Sequence, residues 1–239
     1  MNAKMSKSHR ILFRIDADSQ SGLGHLMRCT ALAEALRDRG WIAVFCLYTG
    51  KKHLPQVIRR QNFAVVPIRL QSRSHLGRRN DLFQVLKSGE KSRTKIIIVD
   101  SYSIPDSYLK RLKRLGWFVV CLDDHGERAL PVDVVVNGNV GAEALPYKPH
   151  ETTRRLLGPA FALLRKEFSQ VRKKVGIPPI RRRVQRVLLC FGGSDPLDHT
   201  SRVLGWLEAM PDTFSIDILM TSLFPNRVAL RALARQSRR

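Results

Sequence analysis

The stretch "RIDADSQSGLGHLMRCTALAEAL" (residues 14–36) decides the fold, because it joins an apolar run to a helix-like segment through a glycine-containing turn. The run that leads into the turn, "ILFRID" (11–16), has the mostly apolar pattern of a buried strand. After Gly24 and His25, apolar side chains recur at helical spacing up to residue 36. The stretch therefore predicts a strand, a turn and a helix. It leaves two roles open for His25: a catalytic group over a cleft, or an ordinary histidine in the first helical turn.

Five further apolar runs repeat the strand-like pattern and are separated by helix-like or turn-like segments. They are "WIAVFCL" (41–47), "FAVVPI" (63–68), "KIIIVD" (95–100), "WFVVCLDD" (117–124) and "VDVVVNGN" (132–139). Continuous runs rich in β-branched residues suit parallel strands that are covered by helices on both faces. In such sheets, ligands bind outside the carboxyl ends of the strands. The sequence therefore predicts an α/β fold in which polar residues gather at one edge: Asp16, Asp100, Asp123, Asp124 and Asn137.

A charged, proline-bearing segment interrupts this pattern at residues 166–184, and the pattern restarts with "VQRVLLCFGGSDP" (184–196). The second series holds about two strands, which is fewer than an independently stable sheet needs. We therefore predict three parts. A complete Rossmann-like domain covers 1–165, a basic linker covers 166–184, and an incomplete, truncated Rossmann-like domain covers 185–239.

The charge of the chain is strongly basic, with 42 lysines and arginines against 20 aspartates and glutamates and a net charge of +22. Such a charge attracts polyanions. The basic residues are spread over many polar segments, however, and no aromatic-interleaved RNA-binding motif is present. We therefore predict a basic solvated surface without a specific nucleic-acid partner.

No apolar run approaches the roughly 20 residues that a membrane helix needs. The polar start "MNAKMSKSHR" is followed by too short an apolar stretch for a signal peptide. We expect a cytoplasmic protein without a membrane partner. The four cysteines, Cys29, Cys46, Cys121 and Cys190, are far apart, contain no CxxC pair and lie in apolar stretches. This spacing predicts buried, reduced thiols and neither a zinc site nor a disulfide framework.

Five ordered stretches together resemble a known enzyme family. They are 14–36, "IIIVDSY" (96–102), "CLDDHGERALPVDVVVNGN" (121–139), "LLGPAFALLRKEF" (156–168) and "VLLCFGGSDPLDHTSRVL" (187–204). They resemble the UDP-sugar hydrolases of the pseudaminic acid pathway, often called PseG, and the related spore-coat polysaccharide proteins. The resemblance implies the two-domain GT-B architecture of the glycosyltransferase MurG. It also implies hydrolysis of UDP-2,4-diacetamido-2,4,6-trideoxy-β-L-altropyranose to UDP and the free sugar, with no metal or cofactor.

The resemblance assigns catalysis to His25, which matches the histidine of the family's Gly-x-Gly-His motif. Because an imidazole accepts protons near neutral pH, His25 suits a general base or a residue that orients the attacking water. Gly22 and Gly24 permit a tight turn and a close ligand approach, and the helix start offers N–H groups to an anion or a sugar hydroxyl. The predicted substrate-binding residues are Arg14, Asp16, Gly24, Arg28, Tyr102, Asn137, Arg165, Gly193 and Ser194.

Several of these candidates also have a plainer structural interpretation. Asp16 and the nearby Asp18 form turns as readily as they orient His25 or hold sugar hydroxyls. Arg28 either reaches a diphosphate or lies in solvent. Arg165 either reaches into the cleft or forms a salt bridge at the domain interface.

Tyr102 suits a hydrogen bond to an N-acetyl group, and Asn137 either contacts substrate or shapes a turn. Asp123 and Asp124 look like a glycosidase carboxylate pair. Neighbours in a strand point to opposite faces, however, so at least one of the two is expected to cap a loop. The loop "FGGSDP" (191–196) suits a phosphate or a sugar at a helix start, although it is not a Walker loop.

The chain departs from the family at its carboxyl end, where the family carries a glycine-rich loop and an acidic residue that hold the nucleotide. Since remote binding interactions drive chemistry at the reacting centre, we expect a truncated copy with impaired activity. Two other functions stay open. One is a GT-B glycosyltransferase that uses a UDP-sugar, and the other is a non-catalytic basic binding protein on a decayed enzyme scaffold. The sequence does not indicate an oligomeric state.

Overall fold

The structure, a computed structural model, describes residues 9–17, 24–49, 54–148, 152–177, 179–180, 182–193, 195–211, 214–221, 224 and 226–236. The chain divides into two compact units, and along the main body of the sequence the division falls between Ser169 and Gln170. The first unit contains the larger sheet, and the second contains a smaller pair of strands.

The first unit is built on a seven-stranded parallel sheet, as the apolar runs predict. Its strands are β1 (Arg10–Asp16), β2 (Ile42–Tyr48), β3 (Ala64–Pro67), β4 (Ile96–Asp100), β5 (Phe118–Leu122), β6 (Val134–Asn137) and β7 (Arg154–Leu157). They lie in the order β3-β2-β1-β4-β5-β6-β7. Strand β7 was not predicted, because it starts with two exposed arginines and lies at the sheet edge, where no long apolar run is needed.

Four helices cross between these strands: α1 (Gly24–Arg37), α2 (Leu54–Arg60), α3 (Arg79–Ser92) and α4 (Asp106–Arg114). Short 3-10 turns lie at Arg73–His75, Ala142–Ala144 and Pro159–Phe161. Helix α4 shows how they pack, because it buries Tyr108, Leu109 and Leu112 on one face while its lysines and arginines mostly face solvent. These side chains join the strand residues in one hydrophobic core.

The strand order reverses direction between β1 and β4. From β1 the chain moves outward to β2 and β3, and it then returns to place β4 on the other side of β1. Such a reversal opens a crevice beyond the carboxyl ends of the two central strands, where ligands bind in open α/β sheets. The start of α1 and the end of β4 therefore occupy the position at which a site is expected.

The second unit contains two parallel strands, β8 (Arg186–Leu189) and β9 (Ser215–Ile218), which pair from Arg186 with Ser215 to Leu189 with Ile218. Helices α6 (His199–Glu208) and α7 (Arg227–Gln236) follow these strands. Helix α5 (Lys166–Val175) begins inside the segment predicted as a linker and spans the boundary between the units, with no buried residue.

Cys29, Cys46 and Cys121 are buried thiols, whereas Cys190 is exposed, contrary to its prediction. The exposure of Cys190 follows from its place just after the end of β8, in a unit with few buried strand residues. Burial raises the pKa of Cys46 to about 11 and that of Cys121 to about 12, which keeps both thiols protonated and unreactive near neutral pH. Among the described residues, no helix is long and apolar enough to cross a bilayer.

Candidate functional site

A buried histidine–carboxylate pair lies at the topological reversal of the sheet. His25 is the second residue of α1, and Asp100 is the last residue of β4. The His25 Nδ1 and Asp100 Oδ1 atoms are 2.5 Å apart, and the two residues are only 5% and 0% exposed. Asp100 pairs with Ile15 of β1 in the sheet register, so the sheet itself fixes the carboxylate beneath the start of α1.

This pairing determines what His25 can do. A carboxylate beside Nδ1 favours the tautomer in which Nδ1–H donates a hydrogen bond to Asp100 and Nε2 carries the lone pair. The imidazole then has a proton acceptor on one side and a carboxylate on the other that stabilises the imidazolium once it forms. The same logic operates in hydrolase triads, where a buried aspartate orients the catalytic histidine.

Arg28 holds the other side of Asp100, one helical turn after His25. Its Nε and Nη2 atoms donate to the Asp100 carboxylate at 2.7 and 2.6 Å. Its Nη1 atom donates to both oxygens of Asp124 at 2.8 and 2.7 Å. Burial alone would raise the pKa of Asp100, but hydrogen bonds from Arg28 and then from His25 outweigh it and hold the pKa below its usual value.

Arg28 is therefore paired with carboxylates and is not freely solvated, while its contact with a diphosphate stays a prediction. The side chain is only 22% exposed, and its charge is matched by two carboxylates. Sequence could not show this arrangement, because Asp100 and Asp124 lie 72 and 96 residues away along the chain.

Tyr102 and Asn139 complete the outer side of this site. The Tyr102 hydroxyl donates to Asp124 Oδ2, and Asn139 Nδ2 donates to Asp124 Oδ1 at 3.1 Å. The Tyr102 ring meets the His25 ring edge-on at a centroid distance of 4.7 Å. Tyr102 is 49% exposed, so the site passes from a buried pair to an accessible aromatic side chain. We call His25, Arg28, Asp100, Tyr102 and Asp124 the histidine cluster.

Two other predicted residues lie in a neighbouring group that is sealed from solvent. Arg14 donates from Nε and Nη2 to Asp81 at 2.9 and 2.6 Å, and from Nη1 to Asp16 at 2.7 Å. Asp16 accepts the Ser101 hydroxyl, and Asp81 accepts the Tyr108 hydroxyl at 3.2 Å. We call these five residues the arginine cluster.

The arginine cluster contains Arg14 and Asp16, which were both predicted to bind substrate. Arg14 is 0% and Asp16 is 1% exposed, and their charged atoms are directed at each other. The Asp16 carboxylate binds Arg14 and Ser101, while the carboxylate that contacts His25 belongs to Asp100. The cluster ties β1 to the start of α3 and to the end of β4, beside the histidine cluster.

Asn137 and Asp123 shape the loops at the ends of β5 and β6. Asn137 Nδ2 donates to the Tyr147 hydroxyl at 3.1 Å, and Asn137 Oδ1 accepts the N–H of Asn139. Asp123 accepts the N–H of Gly126 at 2.8 Å. Asp123 therefore caps a loop, as was expected for at least one of the two carboxylates, while Asp124 binds Arg28. Both residues follow the end of β5 at Leu122, so the loop rather than strand alternation separates them.

Of the remaining predicted residues, Gly24 directly precedes His25, whereas Arg165 and Gly193 belong to neither cluster. Gly24 is the first residue of α1, and a Cβ atom at this position would have no atom from other parts of the described structure within 4 Å. Arg165 is exposed and stacks its guanidinium 5.3 Å from the Phe168 ring centroid. The carbonyl of Gly193, in the second unit, accepts the Thr221 hydroxyl. Ser194, Asp18 and Gly22 lie outside the described residues.

The predicted phosphate loop of the second unit has its own carboxylate. Asp195 is 3% exposed and accepts the N–H groups of His199 and Thr200 at 2.9 and 2.8 Å. These are the first two N–H groups of α6, which is the part of a helix that would otherwise face an anion. Among the described residues, no group of three or more histidine, cysteine and acidic side chains is arranged to hold a metal ion.

Asp100, Asp124 and Asn139 were not among the predicted substrate-binding residues. Asp100 and Asp124 were expected at this edge of the sheet because each ends a predicted strand, and Asn139 ends another. What the sequence lacked was the pairing through Arg28, since a single arginine on a helix gives no sign of which strand ends it meets.

Curated proteins of three organisms are similar to the chain over most of its length, while no protein-family model matches it. An uncharacterised protein of Methanocaldococcus jannaschii is 24% identical over 90% of this chain and 43% of its own length. The UDP-2,4-diacetamido-2,4,6-trideoxy-β-L-altropyranose hydrolase of Campylobacter jejuni is 25% identical over 95% of this chain and 74% of its own length. The spore coat polysaccharide biosynthesis protein SpsG of Bacillus subtilis is 23% identical over 90% of this chain and 60% of its own length. The chain thus spans less than two thirds of the first and third relatives.

Solved structures confirm the predicted fold class. A glycosyltransferase from Rickettsia africae superposes with a TM-score of 0.56, at 13% identity, over 91% of this chain and 69% of that one. The glycosyltransferase SnogD of Streptomyces nogalater superposes with a TM-score of 0.50, at 13% identity, over 91% of this chain and 67% of that one. The chain therefore has the α/β fold of GT-B glycosyltransferases, and its predicted resemblance to the PseG hydrolases and the spore-coat polysaccharide proteins is confirmed by sequence similarity along most of its length.

Proposed function

We propose that the chain is a nucleotide-sugar hydrolase of the PseG type, which releases UDP from UDP-2,4-diacetamido-2,4,6-trideoxy-β-L-altropyranose. The observation that carries the proposal is the buried His25–Asp100 pair at the reversal of the strand order. A relative that bears the name of this hydrolase aligns over 95% of the chain. The reaction would belong to surface polysaccharide synthesis.

The proposed step uses His25 as the general base. A water oxygen attacks the anomeric carbon of the sugar, and His25 Nε2 takes one proton of that water. The bond between the anomeric carbon and the diphosphate oxygen breaks, and its electron pair leaves with UDP. General bases of this kind contribute about 10²–10⁴-fold to the rate.

Asp100 is the positioning residue for this step, because it fixes the His25 tautomer and pairs with the imidazolium that forms. Arg28 keeps Asp100 ionised, as the lowered pKa of that carboxyl indicates. Tyr102 stands at the accessible side of the imidazole, where we propose that it meets the sugar. We place the reaction in the cytoplasm, a compartment that suits a protein with buried free thiols.

The experiment measures UDP release by the purified chain from the named UDP-sugar in the absence of any acceptor. His25→Ala is the test variant. The matched control is His9→Ala, which changes a histidine just before β1, at the amino end of the sheet. We expect a rate about 10³-fold lower for His25→Ala and an unchanged rate for His9→Ala. Equal release by wild type and His25→Ala contradicts the assigned role.

The same assay separates the hydrolase from the other candidate functions. A GT-B glycosyltransferase would use His25 to deprotonate a sugar hydroxyl, so it would release UDP only when an acceptor sugar is added. A non-catalytic binding protein would release no UDP under either condition while still binding the UDP-sugar in calorimetry. Release without an acceptor distinguishes hydrolysis from both.

A further inference from the structure

A basic segment of the chain carries an apolar stripe that the fold leaves in contact with solvent. Phe168, Val171 and Val175 of α5 are 54%, 57% and 66% exposed. Their spacing of three and four residues puts them on one side of the helix. Helix α5 buries none of its residues. Its apolar side therefore contributes nothing to the core of either unit.

Basic residues surround this stripe. Residues 164–184 contain eight lysines and arginines and a single acidic residue, Glu167. With 100° between successive helical residues, Arg172 and Lys174 flank the stripe on its two sides and Lys173 lies opposite. An apolar side, flanking cations and low overall hydrophobicity are the pattern of helices that lie in a membrane–water interface.

The apolar character continues after the helix. Ile177 and Ile180 are 77% and 101% exposed, so both side chains stand almost fully in water. Beyond them, Arg182, Arg183 and Val184 border a groove of about 680 Å³ in the second unit, with Leu207 and Phe214 among its apolar walls. Arginines beside an apolar groove match the headgroup and the upper acyl chain of an anionic lipid.

We propose that residues 164–184 dock this protein on the surface of an anionic phospholipid bilayer. The apolar stripe favours a bilayer over nucleic acid, because the aliphatic side chains of Val171 and Val175 offer no ring for a base to stack on and gain free energy by leaving water for an apolar phase. The positive charge selects anionic lipid over neutral lipid. This surface differs from the histidine cluster and does not depend on the proposed hydrolysis. It also revises the expectation that the protein has no membrane partner.

The experiment is sedimentation of the full chain with two kinds of vesicle. One is pure phosphatidylcholine, and the other contains about one third phosphatidylglycerol. The apolar variant is F168S/V171S/V175S, and the basic variant is R172Q/K173Q/K174Q. The matched control is K110Q/R111Q/R114Q, which removes the same charge from the exposed side of α4, where the apolar side is buried. A far-ultraviolet circular dichroism spectrum verifies that each variant is folded.

We expect the wild type to sediment with the anionic vesicles alone. The basic variant should lose about 100-fold in partitioning, the apolar variant about tenfold or more, and the α4 control less than about threefold. Wild-type partitioning by the apolar variant would overturn the proposal, since attraction to any polyanion, including DNA, would then suffice. Equal losses in the basic variant and the α4 control would overturn it as well, as would sedimentation with neither vesicle.

Discussion

The histidine cluster and the arginine cluster share one design and differ in their access to water. In each, one arginine donates to two carboxylates: Arg28 to Asp100 and Asp124, and Arg14 to Asp16 and Asp81. The Arg14 side chain is 0% exposed, whereas that of Arg28 is 22% exposed. The same ionic motif is therefore sealed in one place and open in the other.

The difference teaches what each cluster can contribute. A sealed ion pair fixes chain segments relative to each other, and removing one partner leaves a buried charge unmatched. An open cluster with a titratable imidazole can exchange protons with a ligand. His25 is present in the open cluster, and the sealed cluster has instead the Tyr108 hydroxyl, which donates to Asp81. We therefore expect mutations in the two clusters to affect different properties.

The largest expected effect is on activity, from Asp100→Asn in the histidine cluster. The amide cannot stabilise an imidazolium as the carboxylate does, and it no longer selects the Nδ1–H tautomer. In the proposed reaction, we expect UDP release to fall about 10³-fold. The control is Asp106→Asn, the same chemical change at a partly exposed partner of Arg128. A wild-type rate for Asp100→Asn would break the assignment of Asp100 as the positioning residue.

The second effect is on stability, from Asp81→Ala in the arginine cluster. The substitution leaves Arg14 buried with Asp16 as its one remaining carboxylate and removes the partner of the Tyr108 hydroxyl. We expect the free energy of unfolding in urea to fall by about 3 kcal/mol. Asp106→Ala, which breaks a partly exposed pair, should cost about 1 kcal/mol or less. If the two variants were equally stable, the sealed cluster would have no special structural role.

A third effect depends on pH and concerns Asp124. Burial alone would raise its pKa, but the hydrogen bond from Tyr102 and the charge of Arg28 outweigh burial and lower it. Because the folded-state pKa lies below the unfolded value of about 3.9, ionised Asp124 contributes stability above that pH. This contribution disappears as the pH falls through the folded-state pKa.

Asp124→Asn should therefore differ most from the wild type in free energy of unfolding at pH 6, and the difference should shrink below about pH 4. Asp38→Asn, at an exposed carboxyl just after α1, serves as the control and should show a small difference at both pH values. A gap between wild type and Asp124→Asn that widens on acidification would contradict the lowered pKa of Asp124.

The same comparison shows how far the sequence could predict this structure. Continuous apolar runs predicted six strands of the first sheet, because a strand buried on both faces needs apolar residues throughout. Strand β7 was not predicted, because an edge strand that begins with Arg154 and Arg155 does not need apolar residues throughout. Helix α5 was not predicted either, because its charged residues and the prolines that follow it indicated a linker.

The sheet edge that carries the candidate site could be predicted from the sequence, whereas the pairing of its charged groups could not. Strand ends located Asp16 and Asp100 at the same edge, and the Gly-x-Gly-His resemblance selected His25. The partner of each charged group could not be predicted from the sequence, because Arg14 and Asp81 are 67 residues apart along the chain and His25 and Asp100 are 75 residues apart. Which carboxylate meets which cation depends on the strand order, and apolar periodicity does not encode that order.

The smallest expected effect comes from Tyr102→Phe, which tests the open edge of the histidine cluster. The change keeps the ring that meets His25 and removes only the hydroxyl that donates to Asp124. Since both residues have access to water, which replaces the lost hydrogen bond, we expect the free energy of unfolding to fall by about 1 kcal/mol or less. If Tyr102 also meets the sugar, KM in the proposed reaction should rise several-fold with little change in kcat. A fall in kcat as large as that of Asp100→Asn would instead make the Tyr102 hydroxyl part of the proton-transfer machinery and erase the distinction between the open edge and the buried pair.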